Sequence, residues 1–236
     1  MEHEASRRQV LKMTAASVVA MAATPATMLA QTAAAEFPKP GTPAEAMQLL
    51  QDGNARYLDQ KFAECSTSVE TLRHDSEKEQ HPYAAILCCA DSRMPAELVF
   101  DGSLGHLFVV RVAGNIATPD TIASLEYAVA VLGVKAILVV GHTSCGAVTA
   151  TKHGGAEPGA IAALYQYIYP ATLGTADVAA AIEKNAKVQA EILRGSSTVI
   201  GERMKAGNLT VESAVYDVGT GKVKMLERLK LGTTAD

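Results

Sequence analysis

Several features are scarce in this chain of 236 residues. It has no tryptophan and only 5% aromatic residues. There is no internal repeat, and no glycine-rich phosphate loop follows the first apolar strand segment, which argues against nucleotide binding. Charge is thin and evenly spread: 21 basic residues stand against 25 acidic ones, a net of −4, and the basic residues are scattered. That pattern carries no electrostatic footprint for nucleic acid or an anionic lipid surface, so a small or neutral partner is expected. Only four cysteines occur, Cys65, Cys88, Cys89 and Cys145. They do not form a stapling framework for a chain this size, and metal ligation is the better account of some of them. What is plentiful is hydrophobic content, at 48%, enough for one large domain with a sizeable core.

The N-terminus differs from the rest. "SRRQVLK" places Arg7 and Arg8 ahead of an alanine-rich apolar stretch from Met13 to Ala30, interrupted by Pro25. This resembles a twin-arginine export signal, with Val10 where an aromatic is usual. Residues 1–35 are therefore assigned as export signal and linker, and residues 36–236 as one catalytic domain. The expected partner is the twin-arginine export machinery and the expected address periplasmic. Such export generally carries proteins that fold first, often around a metal, which points to metal loading before transport. A membrane anchor is the plainer reading, and Pro25 among so many alanines disfavours a stable span.

Beyond the linker, Thr42-Pro43-Ala44-Glu45 is a capping box with proline at the first helical position. It predicts a helix through Leu50, with Gly53 as its interruption. The segment from Ser66 to Gln80 is polar and reads as surface helix and loop. From Tyr83 the pattern turns to short apolar runs, "AAILCC", "HLFVVRVAG" and "AILVVGH", apolar on both faces as in buried parallel strands. Between the second and third, Thr118-Pro119 opens a helix carrying Ile122, Leu125, Val129 and Leu132 and closed by Gly133. A long helix is expected over Ala176 to Leu193, and "LTVESAVYDV" with "KVKML" reads as a closing hairpin. The predicted class is α/β: a three-layer domain with a mostly parallel central sheet, an antiparallel edge strand and flanking helices.

Two clusters end apolar strands, where open α/β sheets place their sites: "CCADSR", from Cys88, and "GHTSCG", from Gly141. In extended geometry Cys89, Asp91 and Arg93 share a face and Cys88 points the other way, into the core. In "HTSC", His142 leaves a strand end while Cys145 enters the first turn of a helix, where dipole and free amides favour a thiolate. Two thiolates and an imidazole suit zinc and leave a fourth tetrahedral position open, which implies catalysis rather than scaffolding. Asp91 would compete for that position unless Arg93 held it in a bidentate pair. The two form an orienting dyad and a gate: released by Arg93, Asp91 becomes a conditional fourth metal ligand. Taken singly, each cysteine reads as a small buried hydrophobe; it is the pairing of two clusters on successive strand ends that favours a metal. His3, His74, His81, His106 and His153 lack such partners and read as surface or structural. Arg111 reads equally as a buried structural ion pair or a substrate contact, and Gly114 with Asn115 as a turn.

The segments "CADSRMPAELVFD", "LFVVRVAGN", "SLEYAVAVLGVKAILVVGHTSCGAV" and "SAVYD" resemble the β-class carbonic anhydrases from roughly Met47 to Leu226. The family's C-x-D-x-R and H-x-x-C motifs map onto Cys89, Asp91, Arg93, His142 and Cys145. The resemblance implies one Zn2+ per subunit, reversible hydration of carbon dioxide to bicarbonate and a proton, and a homodimer or dimer of dimers. Zinc brings bound water to a pKa of about 7 in carbonic anhydrases built on three histidines, so hydroxide is the expected nucleophile at neutral pH. Relatives with a non-catalytic bicarbonate pocket carry tryptophan where this chain has Ile86. His106 replaces a frequent acidic residue and Ala123 a frequent glycine. Two alternatives accompany this reading: hydrolysis of carbon disulfide or carbonyl sulfide at the same metal, and a non-enzymatic zinc-binding relative.

Overall fold

The computed structural model describes residues 38–62, 69–155 and 158–229. The expected export signal and Cys65 lie outside the described residues.

The first helix, α1 (Pro43–Asp59), starts on the expected capping box. Glu45 N–H donates to Thr42 Oγ1, and Thr42 N–H to Glu45 Oε2, both at 3.2 Å. The expectation that Gly53 interrupts this helix is corrected: α1 runs through it for another turn and a half. Glycine is there because the backbone of Phe100 crosses α1 at that point, and a Cβ would stand 1.9 Å from the Phe100 carbonyl oxygen. The next residue, Asn54, ties the helix down, donating to the carbonyls of Val99 and Gly221 and accepting from Val223 N–H. A short helix, α2 (Val69–Asp75), follows on the polar segment.

Five strands form one sheet: β1 (Ala84–Cys88), β2 (Leu107–Arg111), β3 (Ala136–His142), β4 (Thr210–Tyr216) and β5 (Val223–Leu226), in the order β2-β1-β3-β4-β5. All pair in parallel except β4 with β5, the predicted hairpin. The short α3 (Ala96–Val99) lies between β1 and β2, and α4 (Pro119–Ala130) makes the crossover to β3, capped by Thr118 and ending before Leu132. After β3 come α5 (Gly146–His153), a 3-10 turn (Gly159–Leu164), α6 (Tyr165–Thr172), α7 (Val178–Ser196) and α8 (Thr198–Lys205). α3, α6 and α8, at four to eight residues, are too short to carry a helical period that could be predicted.

Strand alternation sends Ile86, Cys88, Leu138 and Val140 to a core shared with α1 and α3. Ala85, Leu87, Ile137 and Val139 go to a core shared with α4, α7 and α8. Each fully buried Ile or Leu contributes roughly 1.5–3 kcal/mol to folding, and these two layers of side chains fix the three-layer order. β1 and β3 are buried along their whole length. The corresponding expectation for "HLFVVRVAG" is corrected: β2 is a sheet edge, only half-buried, with Arg111 exposed. Its apolar runs looked like a central strand because Leu107 to Val110 still pack partly on α4 and on the α1 layer.

Candidate metal centre

The site forms where β1 and β3 end beside one another. Their register pairs Cys88 with Val140, so Cys89 comes one step beyond, close to the level of His142 at the end of β3. From His142 the chain turns into α5 within three residues, through Ser144 in a left-handed conformation at φ 57°. Cys145 is the N-cap of α5 rather than part of its first turn. The ligand atoms of Cys89, His142 and Cys145 lie within 4.8 Å of one another, and all three residues are buried. Among the described residues this is the one cluster of three or more such groups that could hold a metal ion. His106 instead sits in the interior accepting from Ser103 N–H, and His81 lies against Glu79 on the surface.

His142 Nδ1 is 3.0 Å from the Thr143 carbonyl, which makes it the donor nitrogen. Nε2 therefore carries the lone pair, and it is a buried atom with no hydrogen-bond partner. An orphaned imidazole nitrogen beside two sulfurs is the donor set a soft or borderline cation such as zinc completes. The sulfurs are prepared for it. The Cys89 thiol is held well below its usual range, first by the neighbouring Cys145 thiol and further by the Gly114 N–H, against its burial. Gly114 N–H lies 3.3 Å from Cys89 Sγ.

At Cys145 the neighbouring Cys89 sulfur and burial raise the thiol, while the Val148 and Ala147 amides, which the expected helix N-terminus supplies, lower it. A dication bound between the two sulfurs would displace the thiol proton that remains there. Burial works against protonation of His142, and Cys89, Thr143 and Asp91 together outweigh it and raise that group.

Asp91 and Arg93 meet as expected, though not through an extended strand. β1 stops at Cys88, and the chain turns at Asp91, whose carbonyl accepts from Met94 N–H. Arg93 donates from Nε to Asp91 Oδ1 at 2.9 Å and from Nη2 to Oδ2 at 2.8 Å, while its own backbone N–H also reaches Oδ1. A third guanidinium contact, 3.3 Å to the Ser144 carbonyl, ties this pair to the other strand end. The Arg93 hydrogen bonds hold the Asp91 carboxyl well below the usual carboxylate range. Asp91 Oδ2 is 3.8 Å from His142 Nε2.

Cys88 faces the α1 layer, and burial pushes its thiol up to about 12. Arg111 is neither a buried ion pair nor a free side chain. It is exposed on the edge strand and donates to the carbonyls of Cys89 and Asp91, at 3.2 and 2.6 Å. Sequence reasoning missed this brace and the Gly114 amide, since both act through backbone atoms that no residue type announces.

An open α/β sheet with two cysteines and a histidine converging at adjacent strand ends defines an α/β domain with a candidate metal centre. A family model described as Carbonic anhydrase matches residues 84–223. Carbonic anhydrase 2 of Mycobacterium tuberculosis is 34% identical over 196 residues, spanning 79% of this chain and 94% of that protein. A carbonic anhydrase of Mycolicibacterium smegmatis is 33% identical, over 79% of this chain and 95% of that protein. The crystal structure of the β-carbonic anhydrase CafA of Aspergillus fumigatus aligns at a TM-score of 0.61 and 27% identity, covering 76% of this chain and 91% of that one. The chain belongs to the carbonic anhydrase family, in its β class.

Proposed function

We propose that this chain is a zinc-dependent carbonic anhydrase, interconverting carbon dioxide and water with bicarbonate and a proton. The observation that carries the reading is the unpartnered, buried His142 Nε2 beside two cysteine sulfurs, next to a carboxylate already engaged by arginine. Cys89, His142 and Cys145 would hold one Zn2+ per subunit. When bound there, zinc supplies a Lewis-acidic position that brings the pKa of water to about 7. The remaining work falls to the chain. Arg93 occupies both Asp91 oxygens and keeps that carboxylate from competing for the metal. Held ionised by Arg93, Asp91 accepts a hydrogen bond from the reacting water and aims it at the substrate. Ile116, Val148 and Ile168 pack with the two cysteines and give an apolar surround suited to neutral carbon dioxide. Released from Arg93, Asp91 would itself bind the metal and close the site. Stopped-flow hydration with the zinc-loaded protein tests the reading: a rate no higher than buffer overturns it.

The same reading extends to address and assembly. Residues 1–35 direct the folded chain, residues 36–236, through twin-arginine export to the periplasm, supported by Arg7 and Arg8 ahead of the apolar stretch. Lysine at both positions should retain the protein in the cytoplasm, and normal export of that variant would contradict the assignment. The catalytic domain works as a homodimer or dimer of dimers. Supporting this, β2 is a sheet edge among the described residues, and Leu98, Leu104, Tyr127 and Val131 are exposed. A monomeric mass by light scattering at micromolar concentration would overturn it.

A further inference from the structure

We infer that Asn185 and Gln189, whose hydrogen bonds go to Gly114, Ala117, Tyr167 and each other, are positioning residues for the Cys89 sulfur; the inference rests on the metal-site reading above. Both side chains are buried in α7, at 1% and 0% exposure, one turn apart on the same face. Asn185 Nδ2 donates to the Gly114 carbonyl at 2.9 Å. Its Oδ1 accepts from Gln189 Nε2 at 3.0 Å, and the same nitrogen donates to the Tyr167 carbonyl at 2.9 Å. Gln189 Oε1 accepts from Ala117 N–H at 2.8 Å. Since Ala117 N–H can only donate, the orientation of both amides follows from the network.

Gly114 and Ala117 bracket the loop that follows β2, so two side chains of one helix face pin this loop at both ends. What the loop presents to the site is the Gly114 N–H, 3.3 Å from Cys89 Sγ. The peptide before Gly114 carries that amide, and Asn185 grips the peptide after it. Gly114 sits at φ 79°, where a side chain is strained, and a Cβ would lie 2.6 Å from Ile168 Cδ1. The loop conformation is thus set by steric fit on one side and by the amide network on the other.

Packing alone would favour leucine or methionine at these two positions, because burying amides without full satisfaction is costly. Their retention is explained by the peptide they orient. A hydrogen bond aimed at a ligating sulfur fixes its direction and tempers its charge, and losing such support typically lowers metal affinity or activity by about 10–100-fold.

The test is zinc affinity by chelator competition, together with the sulfur-to-metal charge-transfer absorption of the cobalt-substituted protein. Asn185→Leu and Gln189→Met are compared with Ser197→Ala, which removes the side-chain cap of α8 and so lowers stability without touching the loop. Asn185→Leu should weaken zinc binding by about 10–100-fold and shift the absorption, with Gln189→Met doing the same more mildly; Ser197→Ala should move neither. If Asn185→Leu does not fold, Gln189→Met alone carries the comparison. Parental zinc affinity and spectrum in the folded variants overturn the inference, as does an equal loss in Ser197→Ala. A parent that binds zinc tightly yet fails to hydrate carbon dioxide defeats the proposed activity and leaves this readout intact. A parent that binds no zinc defeats both.

Discussion

The two strand ends that meet at the candidate metal centre are built on different plans. At the β3 end, the chain passes directly into α5, and its connecting residue Thr143 is held on the β4 side. Thr143 N–H donates to the Tyr216 carbonyl and its hydroxyl accepts from Val218 N–H. His142 and Cys145 are 0% and 2% exposed. At the β1 end, the chain leaves the sheet in a turn braced from β2 by Arg111, and the side chains of Asp91 and Arg93 are 18% and 48% exposed. The closed end contributes two buried potential donors. The open end contributes one donor and a charge pair that meets solvent. Rigid donors lower the reorganisation needed to bind a metal, while a group that manages water has to be reachable by it.

The largest test of this contrast removes a donor from each end. Cys89→Ala and His142→Ala should each lower zinc affinity by more than about 100-fold, beyond the loss of a supporting hydrogen bond, and abolish hydration. Chelator competition measures it, and undiminished affinity in either variant would mean that the ends do not share one site.

The next test loosens only the open end. Arg93→Ala should keep zinc and lower the hydration rate by about 10–100-fold; an unchanged rate would remove Asp91 and Arg93 from the chemistry. The same variant has a pH signature. The folded Asp91 carboxyl is depressed by Arg93, so the stability it contributes is present above the unfolded carboxylate pKa of about 3.9 and is lost as pH falls through the lower folded value. The gap in Tm between parent and Arg93→Ala should be small, flat above about pH 5, and closed in stronger acid. A gap that widens on acidification would give the wrong sign.

The smallest effect concerns the neighbour of a ligand. Cys88→Ala should leave zinc and hydration unchanged and cost about 1 kcal/mol of stability. In the native metal-stripped protein, iodoacetamide at pH 8 should modify Cys89 ahead of Cys88, read by peptide mass spectrometry. Burial keeps Cys88 protonated, with its thiol pushed up to about 12, whereas the Cys89 thiol is held well below its usual range and ionises far more readily. Preferential labelling of Cys88 would invert the division of roles between the adjacent cysteines.

Much of the candidate site was legible from residue types at strand ends, because Cys89, Asp91, Arg93, His142 and Cys145 converge through their own side chains. The sheet was legible for a similar reason: "AAILCC" and "AILVVGH" have to be buried, and strands buried on both faces read as continuous apolar runs. Gly53 was misread because a glycine inside a helix looks the same whether it ends the helix or admits a crossing backbone. Ser144 gave no sign of its left-handed turn, being a residue that seldom adopts one. Arg111, Asn185 and Gln189 were obscure because their partners are main-chain atoms far away in sequence.

Local order and chemistry follow from the chain itself: the capping boxes at Thr42 and Thr118, the continuous apolar strands, the candidate metal-ligating residue types and the acid–base character of a neighbouring carboxylate and guanidinium. Propensity, hydrogen-bonding capacity and donor softness are properties of residues and short spacings. Which sulfurs meet, which imidazole nitrogen is left unpartnered, and which amide faces Cys89 were decided only when β1, β2, β3 and α7 packed together. Those outcomes depend on distances of a few ångströms between residues up to 71 positions apart, and on water being excluded from between them.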